Sequence, residues 1–180
     1  GSLEDDAQRR DFTINALYLD ASCERILDYA NGVHDIRNRL VRLIGDPEKR
    51  YQEDPVRMLR AVRFAAKLDF EIEKHSAAPI PRLARLLHEI PSARLFEEVL
   101  KLFLAGNAEY TFELLLEYDL FAPLFPAAAA ALKRDPEYAG ELIRLALAST
   151  DRRIEQGKTV TPAFLFAALL WPALPARVSE

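Results

Sequence analysis

Asp54, Arg57, Arg60 and Arg63 recur at every third position of the chain. On a helix each three-residue step falls roughly 60° short of a full turn, so the four wind slowly round the axis over about 13 Å of rise. The result is a ladder with one carboxylate at its N-terminal end, where the helix dipole favours it, and three forked guanidinium donors beyond. Such a pair of acceptor and donor has a definite use. The Watson–Crick edges of adenine and cytosine each set an amino donor beside a ring-nitrogen acceptor, and a carboxylate next to a guanidinium complements both. Guanine and uracil present the reverse order. A fixed Asp54–Arg57 pair can therefore select A and C over G and U, although it cannot by itself separate ATP from CTP. The same residues also suit a helix cap followed by three surface arginines satisfied by local carboxylates.

A second cluster, Arg9-Arg10-Asp11, places an acid beside two permanent cations. An arginine here can hold triphosphate or ribose oxygens, and an ionised Asp11 can accept from a hydroxyl or assist a metal site. Asn15 stands four residues after Asp11 and shares its face if the stretch is helical. A charged surface segment is the plain alternative. His34, His75 and His88 lack metal-ligand spacing. Trp171 lies in an apolar run and is expected in the core. Tyr110, Tyr118 and Tyr138 can stack on RNA bases, but helix packing is the simpler role.

The elements that must position these residues change character along the chain. Apolar stretches at Leu17–Leu19 and Ile26–Tyr29 flank Ala21-Ser22-Cys23-Glu24, which predicts two strands and a turn. Val33–Arg39 suits a short helix and Leu40–Ile44 a strand, closed by Gly45-Asp46-Pro47. From Asp54 the pattern is helical, with Pro55 in a first turn and Val56, Leu59, Val62, Phe64, Ala66 and Leu68 at near-helical spacing. Ile80–Ile90 reads as a further amphipathic segment. Ser92 is placed to cap a helix over Ala93–Leu104, and Gly106-Asn107 to stop it. Helices follow over Tyr110–Tyr118, Glu137–Thr150 and Pro162–Leu170, punctuated by Pro123, Pro126 and Pro136. The expected fold class is mostly α, a small α+β entry segment leading into a multi-helix body. The expected divisions are residues 1–45, 46–126 and 127–180.

Composition sets the outer bounds. The 180 residues can bury a real core, and 50% hydrophobic with 29% charged residues is ordinary for a soluble globular protein. A net charge of −4 does not mark a nucleic-acid binder overall. The charge is uneven, however: residues 37–63 hold eight Lys/Arg (37, 39, 42, 49, 50, 57, 60, 63) against four acids (46, 48, 53, 54), enough for a phosphate-bearing ligand. A single cysteine, Cys23, excludes an internal disulfide framework and a multi-cysteine metal site, and suits a reducing cytoplasm. The apolar runs are too short and too interrupted by proline to span a membrane.

Taken in order, the motifs resemble those of a known family. Leu3-Glu4-Asp5-Asp6-Ala7-Gln8 leads into Arg9-Arg10-Asp11-Phe12-Thr13-Ile14-Asn15-Ala16. Next come Asp28-Tyr29-Ala30-Asn31-Gly32-Val33-His34-Asp35-Ile36 and then Glu53-Asp54-Pro55-Val56-Arg57-Met58-Leu59-Arg60-Ala61-Val62-Arg63-Phe64. The last is Ile90-Pro91-Ser92-Ala93-Arg94-Leu95-Phe96-Glu97-Glu98. The set resembles the class II nucleotidyltransferases, the family of bacterial poly(A) polymerases and CCA-adding enzymes, over at least residues 3–126. The body is more similar to the poly(A) polymerase branch, since CCA-adding enzymes usually carry a Ser-x-Glu-Arg-type sequence where this chain has Pro91-Ser92-Ala93-Arg94-Leu95.

The resemblance implies a template-independent polymerase that adds AMP from ATP to RNA 3′ ends with two Mg²⁺ ions. It implies that Arg10, Asn15, Asp54, Arg57, Arg60 and Arg63 form the nucleotide site and that Asp11 is an acidic active-site residue. The motif at residues 90–98 would support the nucleotide-binding helix. The family's Gly-Gly loop and Asp-x-Asp metal pair would lie upstream of residue 1. The expectation is therefore the later part of a monomeric cytoplasmic enzyme, inactive or nearly so alone, with its metal ligands elsewhere. The rivals are a tRNA CCA-adding or A-adding enzyme, and a non-catalytic helical RNA-binding module.

Overall fold

The computed structural model describes residues 1–174; the last six residues of the expected 127–180 division lie outside them. The chain divides into two compact units, Gly1–Leu83 and Ala84 onward.

The first unit opens with helix α1 (Leu3–Arg9), started by a capping box in which Ser2 and Asp5 satisfy each other's backbone N–H. A 3₁₀ turn at Thr13–Asn15 leads into strands β1 (Leu17–Asp20) and β2 (Arg25–Asp28), the expected antiparallel hairpin, with Leu17 opposite Asp28. Helix α2 (Gly32–Arg37) begins where the Asp28 carboxylate accepts from the backbone N–H of Ala30, Gly32 and Val33. Strand β3 (Leu40–Val41) is shorter than the predicted Leu40–Ile44, although Leu43 still bridges to Phe12. Helix α3 (Pro47–Glu53), capped by the Asp46 carboxylate, is followed by α4 (Val56–Leu68). Strand β4 (Glu71–Ile72) pairs in parallel with β3, and the short helices α5 (Lys74–Ala77) and α6 (Ile80–Leu83) close the unit.

The long helix α4 buries Val56, Met58, Leu59, Ala61, Val62, Ala65 and Ala66 and leaves its arginines on the remaining arc. Beneath this core lies a buried polar network. Asp35, 1% exposed, accepts from Thr13 Oγ1 at 2.7 Å and from Arg42 Nε at 3.0 Å. Arg42 also reaches Glu73, whose other oxygen accepts from the N–H and hydroxyl of Ser76. Ser76 Oγ accepts in turn from the N–H of Leu43, and its carbonyl accepts from the Tyr51 hydroxyl. Burial alone would raise the Glu73 carboxyl, but hydrogen bonds from His75 and Ser76 and the charge of Arg42 hold it at about 2.

The second unit is helical among the described residues. It comprises α7 (Ser92–Phe103), α8 (Ala108–Glu117), α9 (Phe121–Leu124), α10 (Pro126–Arg134), α11 (Pro136–Glu155) and α12 (Pro162–Leu170). Pro126, Pro136 and Pro162 each sit in a first helical turn, where a missing N–H costs nothing. Asp151 of α11 caps α8 from a distance, accepting from Ala108 N–H at 2.7 Å and Glu109 N–H at 3.1 Å. The core is aromatic: Phe112 meets Phe121 edge-on at 5.0 Å, and Phe121 and Phe125 are 5.3 Å apart. The mostly helical class with a small strand-bearing entry is as the sequence predicts.

Several local expectations fail. The segment Ile80–Ile90 is amphipathic as expected, burying Ile80, Leu83 and Leu87, but α6 gives way at Ala84 to a 3₁₀ stretch through Glu89. Ser92 does not cap α7 but is its first residue, with Pro91 in the capping position and no side-chain bond there. Trp171 is 56% exposed rather than in the core; it opens a 3₁₀ turn after α12 in which Pro172 is buried instead. Tyr110 and Tyr138 are about half covered, at 43% and 50% exposure.

Candidate nucleotide-binding site

Asp11 follows Arg10, the extended residue that ends α1, and its segment is stitched to the chain following β3. Ile44 N–H donates to the Asp11 carbonyl at 2.8 Å, and Thr13 N–H to the Arg42 carbonyl at 3.0 Å. The buried Thr13–Asp35–Arg42 contacts fix this segment from below. The carboxylate is thereby aimed at α4. Its Oδ2 accepts from Arg60 Nε at 2.6 Å and also from Arg60 Nη2, while Oδ1 accepts from Asn15 Nδ2 at 3.1 Å and Phe12 N–H at 2.8 Å. Burial pushes this carboxyl up, yet the bonds from Asn15, Arg60 and Phe12 and the Arg60 charge outweigh it and hold it below the ordinary value. Asn15 thus reaches Asp11 as predicted, through a 3₁₀ turn rather than an α-helix.

Asp54 does not lie inside the arginine helix. It is extended, between the end of α3 and the start of α4, and its carboxylate accepts from Val56 N–H at 3.3 Å. Its carbonyl accepts from Arg57 N–H, so the two residues are joined through the backbone. The Arg57 side chain is held by other groups: Nη1 donates to Glu53 Oε2 at 3.1 Å and to the Arg50 carbonyl at 2.7 Å. Both bonds use Nη1, and among the described residues no hydrogen bond of Arg57 uses Nη2 or Nε. Glu53 Oε2 also accepts from Arg50 Nη1 at 3.0 Å.

Further along α4, the guanidinium groups of Arg60 and Arg63 lie 5.7 and 5.0 Å from the ring centre of Phe64. Phe64 in turn meets Phe12 edge-on at 5.6 Å. Arg10 is turned toward α1, where its Nη2 donates to Asp6 at 2.8 Å; the Tyr18 hydroxyl donates to the same oxygen. The structure therefore joins Asp11, Asn15 and Arg60 directly. Arg57, Arg63 and Asp54 lie on or just before the same helix, and Arg10 has its side chain elsewhere.

Sequence reasoning overlooked Glu53, Arg50 and the Asp35–Arg42–Glu73 network. Glu53 and Arg57 had a signal, since they stand at the four-residue spacing that pairs side chains on a helix. Of the network only Asp35 lies in a motif, and the pairing had no signal because its members come from separate elements. The basic excess at residues 37–63 is largely satisfied locally: Arg39 by Asp69, Arg42 by Asp35 and Glu73, Lys49 by Asp46, Arg50 and Arg57 by Glu53, and Arg60 by Asp11. No described helix is long and apolar enough to cross a membrane.

The sequence and the fold are similar to those of known proteins. The model of the poly(A) polymerase head domain matches residues 1–42, and that of the probable RNA- and SrmB-binding site of polymerase A matches residues 69–132. Poly(A) polymerase I of Salmonella typhimurium is 55% identical over 172 residues, 95% of this chain and 37% of that protein. The CCA-adding enzyme of Ligilactobacillus salivarius is 40% identical over 139 residues, 76% of this chain and 34% of the enzyme. The crystal structure of the Bacillus stearothermophilus CCA-adding enzyme in complex with CTP is similar at a TM-score of 0.63 and 26% identity, over 95% of this chain and 59% of that one. The chain spans well under half the length of the curated relatives it matches. With matches to a polymerase head and to the probable RNA- and SrmB-binding site on either side of the arginine helix in one sequence, the chain belongs to the class II nucleotidyltransferase family, on its bacterial poly(A) polymerase I branch.

Proposed function

We propose that the chain is part of a template-independent polynucleotide adenylyltransferase that extends RNA 3′ ends with AMP taken from ATP. In that reaction the RNA 3′-hydroxyl oxygen bonds to the α-phosphorus of ATP, the bond from that phosphorus to the bridging oxygen breaks, and pyrophosphate and a proton leave. The observation that carries the reading is the Asp11–Arg60 ion pair, which brings the first motif onto the arginine helix. The 55% identity to a poly(A) polymerase I supports the choice of nucleotide and product.

In this reading Arg57 and Asp54 address the base edge. Arg57 keeps Nη2 and Nε for that contact while Nη1 is held by its two acceptors. Arg60 and Arg63 hold nucleotide oxygens, with Arg60 shared between ligand and Asp11, and Arg10 joins them by leaving Asp6. Asp11 fixes Arg60 and stands as the acidic member of the site. The enzyme acts as a monomer on cytoplasmic RNA. The family reaction uses Mg²⁺, but the residues at hand do not fit that ion. No three His, Cys, Asp or Glu side chains converge among the described residues, and both oxygens of Asp11 already accept hydrogen bonds. No step is therefore assigned to a metal.

A CCA-adding or A-adding enzyme is the second reading, favoured by the 40% identity to a CCA-adding relative and by the shared fold. The test is nucleotide incorporation into end-labelled RNA with Mg²⁺, each NTP singly and then CTP with ATP, by the full-length gene product and by this chain. A long ladder with ATP from the full-length product supports poly(A) synthesis. Addition that stops after a few C and A residues supports the second reading, and no addition overturns both.

A further inference from the structure

Arg50 occupies a junction that neither the motifs nor the reaction assigns. It lies on α3 with its side chain 18% exposed. One arm of its guanidinium, Nη2, donates to the carbonyl of Arg10 at 2.8 Å and to that of Arg9 at 3.2 Å. The other arm, Nη1, donates to Glu53 at 3.0 Å. Its own carbonyl accepts twice, from Asp54 N–H at 3.2 Å and from Arg57 Nη1 at 2.7 Å. A single residue thus grips the backbone leading into Asp11, the carboxylate that pairs with Arg57, the Arg57 guanidinium itself and the backbone of Asp54.

We propose that Arg50 is a positioning residue for base selection, tying Arg57 and Asp54 to the Asp11 segment. The inference rests on the nucleotide-binding reading of Arg57 given above. Helix α4 is then joined to residues 9–11 at two points, directly through Arg60 and Asp11 and indirectly through Arg57, Arg50 and the Arg10 carbonyl. Arg57 and Arg60 are separated by about 4.5 Å of helical rise, so the two tethers together fix both the height of the helix and its rotation. The work requires a planar fork with donors on opposite arms, and the single nitrogen of a lysine cannot span both sets of acceptors. An ordinary surface pair between Arg50 and Glu53 would contribute little, but two of the five groups gripped are backbone carbonyls 40 and 41 residues away.

The test uses the full-length gene product and compares Arg50→Met, Arg50→Lys, Arg57→Met and the Arg50→Met/Arg57→Met double variant. Steady-state extension of end-labelled RNA gives kcat and KM for ATP and for GTP. Arg50→Met is expected to raise the KM for ATP about tenfold, the scale of losing charge-assisted hydrogen bonds, with a smaller change in kcat and a reduced preference for ATP over GTP. The double variant should be scarcely worse than Arg57→Met, since losing the Arg50 side chain leaves its main-chain carbonyl in place and acts through the placement of Arg57. Arg50→Lys keeps the charge but not the fork, should fall between wild type and Arg50→Met, and decides the matter if Arg50→Met fails to fold. Additive effects in the double variant, or a full ATP preference in both Arg50 variants, would overturn the proposal. If Arg57→Met itself keeps the preference, base reading by Arg57 fails, and non-additivity in the KM for ATP still decides the coupling.

Discussion

Both Nε and Nη2 of Arg60 donate to the same carboxylate oxygen of Asp11, across a separation of 49 residues. Asn15 and the Phe12 N–H occupy the other oxygen, so Asp11 is held on both sides and Arg60 has a fixed height on its helix. The contact makes the first motif and the arginine helix one mechanical part. Under the proposed function, Arg60 would meet a nucleotide as a guanidinium already oriented, with less side-chain freedom left to lose on binding.

Removing the carboxylate charge should expose this dependence. Asp11→Asn is expected to lower the stability of the chain by about 1–3 kcal/mol, the range for a charged hydrogen bond lost from a partly buried site. Adding Arg60→Met to that variant should cost little more. Thermal or urea unfolding of the two single variants and the double variant measures this, and full additivity would show that the pair contributes nothing as a pair.

Base reading by Asp54 makes a different demand. In the full-length gene product, Asp54→Ala should depress incorporation of ATP more than of GTP, narrowing the preference between them. Asp54 also accepts from the Val56 N–H, so some general loss through a weakened start of α4 is expected with both nucleotides. The ratio of kcat/KM values is therefore the informative quantity, and an equal fall with ATP and GTP would remove Asp54 from base selection.

Gly32 should tolerate no side chain. A Cβ placed there would lie 2.3 Å from the carbonyl oxygen of Thr13, a backbone atom unable to swing aside. Gly32→Ala must displace the Thr13 turn, whose hydroxyl bonds Asp35 and whose N–H bonds the chain after β3. A loss of roughly 1–3 kcal/mol is expected from such overpacking. The drop in Tm should be accompanied by faster amide exchange at Thr13.

The buried network gives the chain an acid limit. Glu73 is held at about 2 against an ordinary value of 4.5, so the folded state prefers it ionised. That stabilisation is complete above the ordinary carboxyl range and is lost as pH falls toward 2. Unfolding free energies measured from pH 6 down to pH 2 should fall more steeply in the wild type than in Glu73→Gln. The variant should be the less stable of the two at pH 6, and parallel curves would exclude Glu73 as a source of the pH dependence.

What the sequence made legible was local. The near-helical spacing of Val56, Leu59, Val62, Phe64, Ala66 and Leu68 pointed to the arginine helix, and the apolar stretches around residues 21–24 to the hairpin. The interval from Asp11 to Asn15 anticipated a contact that does form. Partners set by tertiary structure were less accessible. Asp54 seemed the natural companion of Arg57, yet Glu53 and a carbonyl hold that side chain, because α3 ends on Glu53 and the chain leaves the helical path at Asp54. Ser92 looked like a cap, but Pro91 takes that position. Apolar character alone misplaced Trp171, since a helix apolar on every side does not announce which face will turn inward.

The pairing of β3 with β4 bears on how this helix can be replaced or redesigned. Leu40 and Val41 lie beside Glu71 and Ile72, and Arg39 grips Asp69, so the backbone from 39 to 72 returns to its starting point with α3 and α4 inside the circuit. Such a circuit behaves as a cassette whose two ends are already side by side. A related sequence with different base preference could be exchanged across that gap as a single insert, provided its ends kept the spacing of one strand pair. Shortening or lengthening the chain by a single residue just ahead of Arg57 would instead turn Arg57 and Arg60 by about 100° away from Arg50 and Asp11, the residues that hold them.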